Sequence, residues 1–150
     1  METILFGAGC FWHVEKIFFN TKGVMTTAVG YAGGQINNPT YNQVCSGLTG
    51  HAEVVKVEFN ENEISVKELL NTFWEIHDPT QINRQGPDIG SQYRSCIFSS
   101  NQNHLNIIRN IIINIENTKR YQLPIATILY EEEKFWLAEE YHQKYLIKNH

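Results

Sequence analysis

The residues from Ala52 to Phe59 alternate with a period of two, and this pattern constrains the fold more than any other segment of the sequence. One face of the segment carries Glu53 followed at every second position by apolar residues, and the other face carries Lys56 and Glu58. Such alternation is typical of a β-strand, because successive side chains of a strand point to opposite sides of the sheet. The apolar face of that sheet must be covered, so the chain also needs helices that pack on it.

Strand and helix patterns alternate along the rest of the chain, where four more strands and four helices are predicted. The further strands are predicted at residues 3–6, 24–29, 93–98 and 125–130. The helices are predicted near residues 11–18, 66–77, 103–117 and 135–146. Two polar segments, at residues 33–50 and 78–91, are predicted as long loops, which in compact domains are often functional.

The predicted order βαββαβαβα contains both adjacent strands and strands joined through a helix. Adjacent strands favour antiparallel pairing, so we expect a mixed β-sheet flanked by helices, which is an α+β fold. The chain has 150 residues, of which 42% are hydrophobic. That is enough for one substantial core, and we expect a single domain over residues 1–150.

Charge and cysteine usage exclude several classes of function. The formal net charge of -4 provides no positive field, so binding to nucleic acid or to a membrane is not expected. No apolar run approaches the roughly 18 residues of a membrane-spanning helix, and the first residues lack the basic start of an export signal. The three cysteines, separated by 35 and 51 residues, fit neither a closed disulfide framework nor a zinc motif. We therefore expect a cytoplasmic thiol protein.

Cys10 is the first candidate for chemistry, because it follows Gly7-Ala8-Gly9 at the start of a predicted helix. The free N–H groups and the positive dipole end of a helix favour a thiolate over a thiol, which would make Cys10 a nucleophile. The alternative is a buried cysteine that acts as a small apolar residue. Phe11 and Trp12 could form the wall of an apolar pocket beside the sulfur, although aromatic residues at this position are often part of the core.

Glu53 is the candidate proton donor. Its neighbours on the same strand face are apolar, so burial should raise its pKa and keep the carboxyl neutral. The alternative is a glutamate that reaches water from the end of its strand. Tyr41 and Tyr93, from the first and second polar segments, could add hydroxyl donors. Asp88 lies in a turn, where a capping role is the simpler interpretation.

Two other classes of function remain open at this point. Cys10 with His51 or His77, oriented by Asp78 or Asp88, would describe a cysteine hydrolase. A binding module would instead recognise a methyl group through its aromatic residues without catalysis.

Eight short blocks of sequence, spread over nearly the whole chain, carry a further signal. They are Gly7-Ala8-Gly9-Cys10-Phe11-Trp12, Gly30-Tyr31-Ala32-Gly33-Gly34, Asn38-Pro39-Thr40-Tyr41, Val44-Cys45-Ser46-Gly47-Leu48-Thr49-Gly50-His51-Ala52-Glu53-Val54, His77-Asp78-Pro79-Thr80, Asn83-Arg84-Gln85-Gly86, Asp88-Ile89-Gly90-Ser91-Gln92-Tyr93-Arg94-Ser95 and Ala138-Glu139-Glu140-Tyr141-His142-Gln143-Lys144-Tyr145-Leu146. Together they resemble the A-type peptide methionine sulfoxide reductases, in the order that the family has them.

The resemblance implies a two-layer α+β sandwich that reduces methionine S-sulfoxide, free or within peptides and proteins, without a metal or a bound organic cofactor. It implies that Cys10 attacks the sulfoxide sulfur and is left as a sulfenic acid. It further implies roles for the neighbouring residues, in which Glu53, Tyr41 and Tyr93 donate to the oxygen, Phe11 and Trp12 hold the methyl group, and Asp88 orders the polar side of the pocket.

Regeneration of the thiol is where the sequence departs from many relatives, which carry a resolving cysteine in a tail after the last helix. Here the sequence closes at residues 147–150 without one, and position 13 is a histidine instead of a small residue or a cysteine. Cys45 is a possible internal resolving residue, whereas strand alternation after Tyr93 should turn Cys96 away from the site. We expect an external thiol, such as thioredoxin, glutaredoxin with glutathione, or a dithiol, to reduce the sulfenic acid of a monomeric enzyme.

Overall fold

Six strands form the central sheet of the computed structural model, which describes residues 1–149. The strands along the chain are β1 (Glu2–Gly7), β2 (Val24–Ala32), β3 (Ala52–Phe59), β4 (Arg84–Gln85), β5 (Asp88–Ile89), β6 (Cys96–Phe98), β7 (Ile128–Tyr130) and β8 (Trp136–Leu137). The helices are α1 (Phe11–Phe19), α2 (Tyr41–Cys45), α3 (Val66–Glu75), α4 (Gln102–Asn117) and α5 (Tyr145–Lys148). Single 3₁₀ turns lie at Ser91–Tyr93 and Glu140–His142.

The sheet has the strand order β7-β6-β1-β3-β2-β8, and β4 and β5 form a separate hairpin. β3 lies in the middle and pairs with β1 and β2 in antiparallel register, while β6 and β7 are parallel. The sheet is therefore mixed, and the predicted α+β class is confirmed. The predicted alternation of β3 is confirmed as well, because only Lys56 and Glu58 within the strand are not fully buried.

The main core lies between the sheet and three helices that cover the same face. Phe6 of β1 stacks on Phe18 of α1 with ring centroids 4.8 Å apart, and its ring also contacts Phe73 of α3 at 5.3 Å. Ile108 of α4 belongs to the same cluster of buried residues. A smaller cluster on the opposite face includes Leu5. This arrangement gives the two layers of the sandwich.

The link between β1 and α1 depends on two glycines for reasons of backbone geometry. Gly9 has a φ of +93°, a conformation that side-chain-bearing residues rarely adopt. A Cβ atom at Gly7 would lie 2.5 Å from the Cys96 sulfur, so this position requires glycine for close approach of β6. The glycines thus shape the turn that presents Cys10.

Both polar segments contain short elements that the sequence analysis does not predict. α2 lies inside the segment 33–50, and a capping box between Thr40 and Gln43 begins it. The β4–β5 hairpin lies inside the segment 78–91 and turns through Gly86, which has a positive φ. The predicted strand 93–98 is shorter than expected, since Tyr93 lies in a 3₁₀ turn and β6 begins at Cys96. The predicted strand at 125–130 likewise shortens to β7.

The predicted helix over 135–146 is wrong. This segment forms β8, the 3₁₀ turn and the first residues of α5, and Lys144 adopts a left-handed conformation with φ 54°. The Gln143 side chain explains the difference, because its amide accepts from the Val29 N–H and donates to the Val29 carbonyl, both at 2.9 Å. These hydrogen bonds to β2 replace those of a helix, so tertiary contacts override the local pattern.

None of the helices within residues 1–149 is long and apolar enough to cross a lipid bilayer.

Two adjacent phenylalanines of α1 give a test of this packing. Phe18 is fully buried, whereas 44% of the Phe19 side chain is exposed. We expect Phe18→Ala to lower the free energy of unfolding by about 3–5 kcal/mol, because it removes buried contacts and leaves a cavity. The matched variant Phe19→Ala should lower it by less than about 1 kcal/mol. Urea denaturation measures both values, and equal losses would contradict the proposed packing of α1.

Candidate active site

Cys10 stands at the junction between the β1 turn and the first residue of α1, and its side chain is half-buried. Burial raises the pKa of the thiol, the negative charges of Glu53 and Asp88 raise it further, and backbone N–H groups of Trp12 and His13 act in the opposite direction. The net direction is upward, so the expectation of a resting thiolate at Cys10 is wrong. The helix start does supply donors to the sulfur, but here they are outweighed by burial and by nearby carboxylates.

Glu53 is buried in β3, with only 2% of its surface exposed. Its Oε1 accepts a hydrogen bond from the Phe11 N–H at 3.2 Å, while its Oε2 is buried and has no hydrogen-bond partner within residues 1–149. Burial raises the pKa of Glu53 to about 7, with a smaller contribution from the charge of Asp88. The expected rise in this pKa is confirmed, and the alternative of a glutamate that reaches water is wrong.

The charges of Cys10 and Glu53 depend on each other. A negative Glu53 raises the pKa of the Cys10 thiol, so a proton that neutralises Glu53 makes ionisation of the thiol easier. The pair therefore disfavours the state in which both groups are charged, and it can carry a single negative charge on either group. A thiolate next to a neutral carboxylic acid is one such state, and it combines a nucleophile with a proton donor.

Two tyrosines from distant segments lie near this pair. Tyr41 is the first residue of α2, and Tyr93 ends the turn before β6. Burial and the charge of Glu53 raise the pKa of Tyr93 to about 12. Burial, a hydrogen bond with Cys45 and the charge of Glu53 raise the pKa of Tyr41 as well. Both phenols therefore keep their protons at neutral pH and can donate hydrogen bonds.

Asp88 lies half-buried in β5 of the small hairpin. Its charge acts on Cys10, Glu53 and Tyr93, raising the pKa of each. The structure thus gathers Cys10, Glu53, Asp88 and both tyrosines at one place from five separate parts of the chain.

The aromatic residues that follow Cys10 form one side of this candidate active site. The Phe11 ring is buried and lies 5.8 Å from the Tyr31 ring and 6.4 Å from the Tyr41 ring. Trp12 is half-buried and stacks on Tyr145 of α5 with ring centroids 3.9 Å apart.

Sequence analysis assigns no role to two residues that hold this aromatic wall. His142, which is almost fully buried, accepts a hydrogen bond at Nδ1 from the Trp12 indole N–H at 3.0 Å. The Glu139 carboxylate accepts from the Tyr31 hydroxyl at 2.8 Å and from the Tyr41 N–H at 2.9 Å. Because these partners are 98 to 130 residues apart in sequence, local periodicity carries no signal for them. The closing block in the family resemblance is the only sequence feature that includes both.

The other two cysteines differ sharply in access. Cys45 is exposed at the end of α2. Partial burial of the Cys45 sulfur and the charge of Glu53 raise the pKa of this thiol, while a hydrogen bond with the Tyr41 hydroxyl lowers it. Cys96 is fully buried, and burial raises its pKa to about 12. Since Tyr93 is not in a strand, the predicted alternation does not orient Cys96, and it is the burial of Cys96 that keeps its thiol from solvent.

The histidines required by a cysteine hydrolase are engaged elsewhere. His77 donates from Nδ1 to the Phe73 carbonyl at 2.7 Å and accepts at Nε2 from the Ser95 hydroxyl at 2.8 Å. His51 accepts at Nδ1 from the Gly34 N–H at 3.0 Å and donates from Nε2 to the Ile36 carbonyl at 2.7 Å. Neither imidazole has a nitrogen left for Cys10, so the hydrolase arrangement lacks its general base.

A group of side chains that could ligate a metal ion lies outside this site. Glu2, Glu61 and His104 place one ligand atom each within 4.8 Å of one another. Cys10 and Glu53 do not belong to this group.

Comparison with known proteins links the whole chain to one family. The family model described as peptide methionine sulfoxide reductase matches residues 2–150. Peptide methionine sulfoxide reductase MsrA of Acidobacterium capsulatum is 50% identical over 148 residues, which cover 99% of this chain and 95% of that protein.

Solved structures show the same likeness. Mxr1 of Saccharomyces cerevisiae in its reduced form superposes with a TM-score of 0.92 at 36% identity, over 99% of this chain and 85% of that chain. A second structure, of Mxr1 in complex with Trx2, superposes with a TM-score of 0.68 at 26% identity, over 96% of this chain and 84% of that chain.

The buried carboxyl of Glu53 predicts a pH-dependent stability. Between about pH 4.5 and pH 7 the unfolded chain releases the Glu53 proton while the folded protein keeps it, so the parent loses stability as the pH rises. Glu53→Gln removes this loss. The difference in free energy of unfolding, variant minus parent, should therefore rise by about 3 kcal/mol between pH 4.5 and pH 7.5.

Urea titrations at several pH values measure this difference. Glu58→Gln, on the opposite face of β3, controls for the loss of a carboxylate from the strand. A difference between Glu53→Gln and the parent that stays constant with pH would show that the Glu53 carboxyl is not perturbed by burial.

Proposed function

Because the chain belongs to the peptide methionine sulfoxide reductase family, we propose that Cys10 is its nucleophile and Glu53 its proton donor in the reduction of methionine S-sulfoxide. Thiol-dependent reduction of methionine sulfoxide is the activity of this enzyme. The observation that carries the assignment of roles is the unpartnered, buried Glu53 Oε2 beside the helix start that holds Cys10.

The first half of the reaction transfers one oxygen atom. The Cys10 sulfur attacks the sulfoxide sulfur, and the sulfoxide oxygen gains negative charge and takes a proton from Glu53. Donors that meet this oxygen as its charge develops stabilise the transition state more than the ground state. Tyr41 and Tyr93 act in this way, since their hydroxyls stay protonated.

Methionine then leaves, and the oxygen remains on Cys10 as a sulfenic acid. The sulfoxide is reduced by two electrons and the Cys10 sulfur is oxidised by two, so the step needs no further reactant. The aromatic side formed by Phe11 and Trp12 holds the methyl group of the substrate, and Asp88 orders the polar side.

The Cys10 sulfenic acid is reduced by an external thiol. Thioredoxin, glutaredoxin with glutathione, and small dithiols are the reductant classes that suit this step. The complex of yeast Mxr1 with Trx2 supports a protein dithiol as one of them. Cys45 is the only other exposed thiol within residues 1–149 and is the possible internal resolving residue, whereas Cys96 is buried.

The unpaired state of the three cysteines supports a cytoplasmic location. Cys10, Cys45 and Cys96 are all unpaired in the structure, as is typical of proteins in reducing compartments. The enzyme acts as a monomer with one catalytic domain over residues 1–150, in keeping with a family model that spans nearly the same range.

Substrate stereochemistry and Cys10 give the first test of this function. Purified protein with dithiothreitol should consume the S epimer of methionine sulfoxide and leave the R epimer, as measured by chiral chromatography. Cys10→Ser should abolish the activity, because a hydroxyl is a much weaker nucleophile than a thiol and cannot take up the oxygen as a sulfenic acid. Glu53→Gln should keep the nucleophile but lower the rate by about 100-fold to 10,000-fold, the usual contribution of a general acid. Unchanged activity in Cys10→Ser would refute the assignment.

The role of external thiols gives the second test. A protein that carries both Cys45→Ser and Cys96→Ala should continue to turn over with excess dithiothreitol, because the external thiol reaches Cys10 directly. The yield of methionine in a single turnover without thiol reports whether Cys10 is still active in this protein. Normal single-turnover yield with no further cycling would show that an internal cysteine is required.

A further inference from the structure

A recess of about 540 Å³ opens on one flank of α1, and Cys10 forms part of its wall. Its lining includes two basic side chains of α1, His13 and Lys16, and two acidic ones, Glu75 at the end of α3 and Asp88 on the hairpin. The mechanism proposed above uses Cys10 and Asp88 but gives no role to the other three residues.

Helix geometry places this recess away from the aromatic side of the site. Successive residues of an α-helix are rotated by about 100°, so His13 lies within about 60° of Cys10 around α1. Trp12 lies about 160° from Cys10, on the far side of the helix, and Phe11 lies about 100° away. Cys10, at the start of α1, therefore borders the recess and lies next to the Phe11 N–H that holds Glu53.

Reduction of the sulfenic acid needs an open approach to the Cys10 sulfur. After methionine leaves, the new oxygen on Cys10 still faces Glu53, which is tied to the Phe11 side by the Phe11 N–H. A thiolate displaces this oxygen by attacking the sulfur in line with, and opposite to, the S–O bond. The recess, which is lined by Cys10 but not by Glu53, gives the incoming thiol such an approach to the sulfur.

We propose that the recess is the binding site of the external thiol, and that it takes a small zwitterionic thiol of the cysteine-peptide class, such as glutathione. This inference rests on the function proposed above. Lys16 and His13 face the carboxylates of such a molecule, while Glu75 and Asp88 face its ammonium group. Its thiol then lies against the Cys10 sulfur.

The proposed step balances with two molecules of the thiol. The first gives its proton to the Glu53 carboxylate and forms an S–S bond to Cys10, the S–O bond breaks, and the oxygen takes that proton and leaves as water. The second thiol attacks the sulfur of the bound reductant and releases the Cys10 thiolate together with the disulfide of the two molecules. Two electrons pass from the pair of thiols to the Cys10 sulfur.

A series of thiols that differ in charge tests the site. Oxidised protein is prepared with one equivalent of methionine S-sulfoxide, and the recovery of the Cys10 thiol is followed with glutathione, 3-mercaptopropionate, 2-mercaptoethanol and cysteamine. The methionine formed before any thiol is added measures the proposed function by itself.

Charge reversal at Lys16 should change the preference among these thiols. We expect Lys16→Glu to lower the rate with anionic 3-mercaptopropionate, relative to the rate with cationic cysteamine, by about tenfold, because an attraction becomes a repulsion at close range. Glu75→Lys should change the same ratio in the opposite direction. Lys67→Glu, an exposed position on α3 outside the recess, makes the same change in net charge and should leave the ratio as in the parent.

Each failure has a distinct meaning. If the parent forms no methionine before thiol is added, the proposed function is refuted and the reductant site with it. If methionine forms but Lys16→Glu and Lys67→Glu give the same ratio, the reductant site is refuted and the function stands. The reductant site is also refuted if only a protein dithiol, and none of the small thiols, restores Cys10.

Discussion

The hydrogen bond from the Phe11 N–H to the Glu53 carboxylate joins the middle of the sheet to the start of α1. It fixes the carboxyl beside the sulfur of Cys10 and satisfies only one of the two carboxylate oxygens. A carboxyl that is buried with half of its hydrogen-bonding capacity unused costs stability when it is ionised. The same cost holds its pKa near 7 and makes it a proton donor at neutral pH.

The electrostatics of the site therefore differ from those of a cysteine activated by a helix alone. N–H groups at the start of α1 favour a thiolate, but burial and two carboxylates oppose them. The sulfur becomes a better nucleophile when Glu53 is protonated, which is also the state in which Glu53 can donate. In the proposed reaction, a single proton on Glu53 thus prepares both groups for the same step, and the substrate oxygen takes that proton.

How far the sequence alone leads depends on whether the determinant is local. The period-two pattern of β3, the helix predicted near residues 66–77 and the burial of Glu53 all follow from neighbouring residues, and they match the structure. The predicted helix at 135–146 fails because the Gln143 amide bonds to β2, a contact between residues 114 positions apart. Tyr93 is placed near the site correctly but in a 3₁₀ turn instead of a strand. The upward shift of the Cys10 pKa could not be read from position alone, since it depends on Asp88 and Glu53 arriving from other elements.

The aromatic side of the site is built by two ends of the chain. Trp12 is held by His142 and Tyr145, whose segment also supplies the carboxylate that fixes the start of α2. During synthesis the ribosome releases the nucleophile early and these supporting residues late. If the aromatic side holds the substrate as proposed, a nascent chain exposes Cys10 long before it can bind a methionine side chain, and the enzyme becomes active only when translation has passed α5.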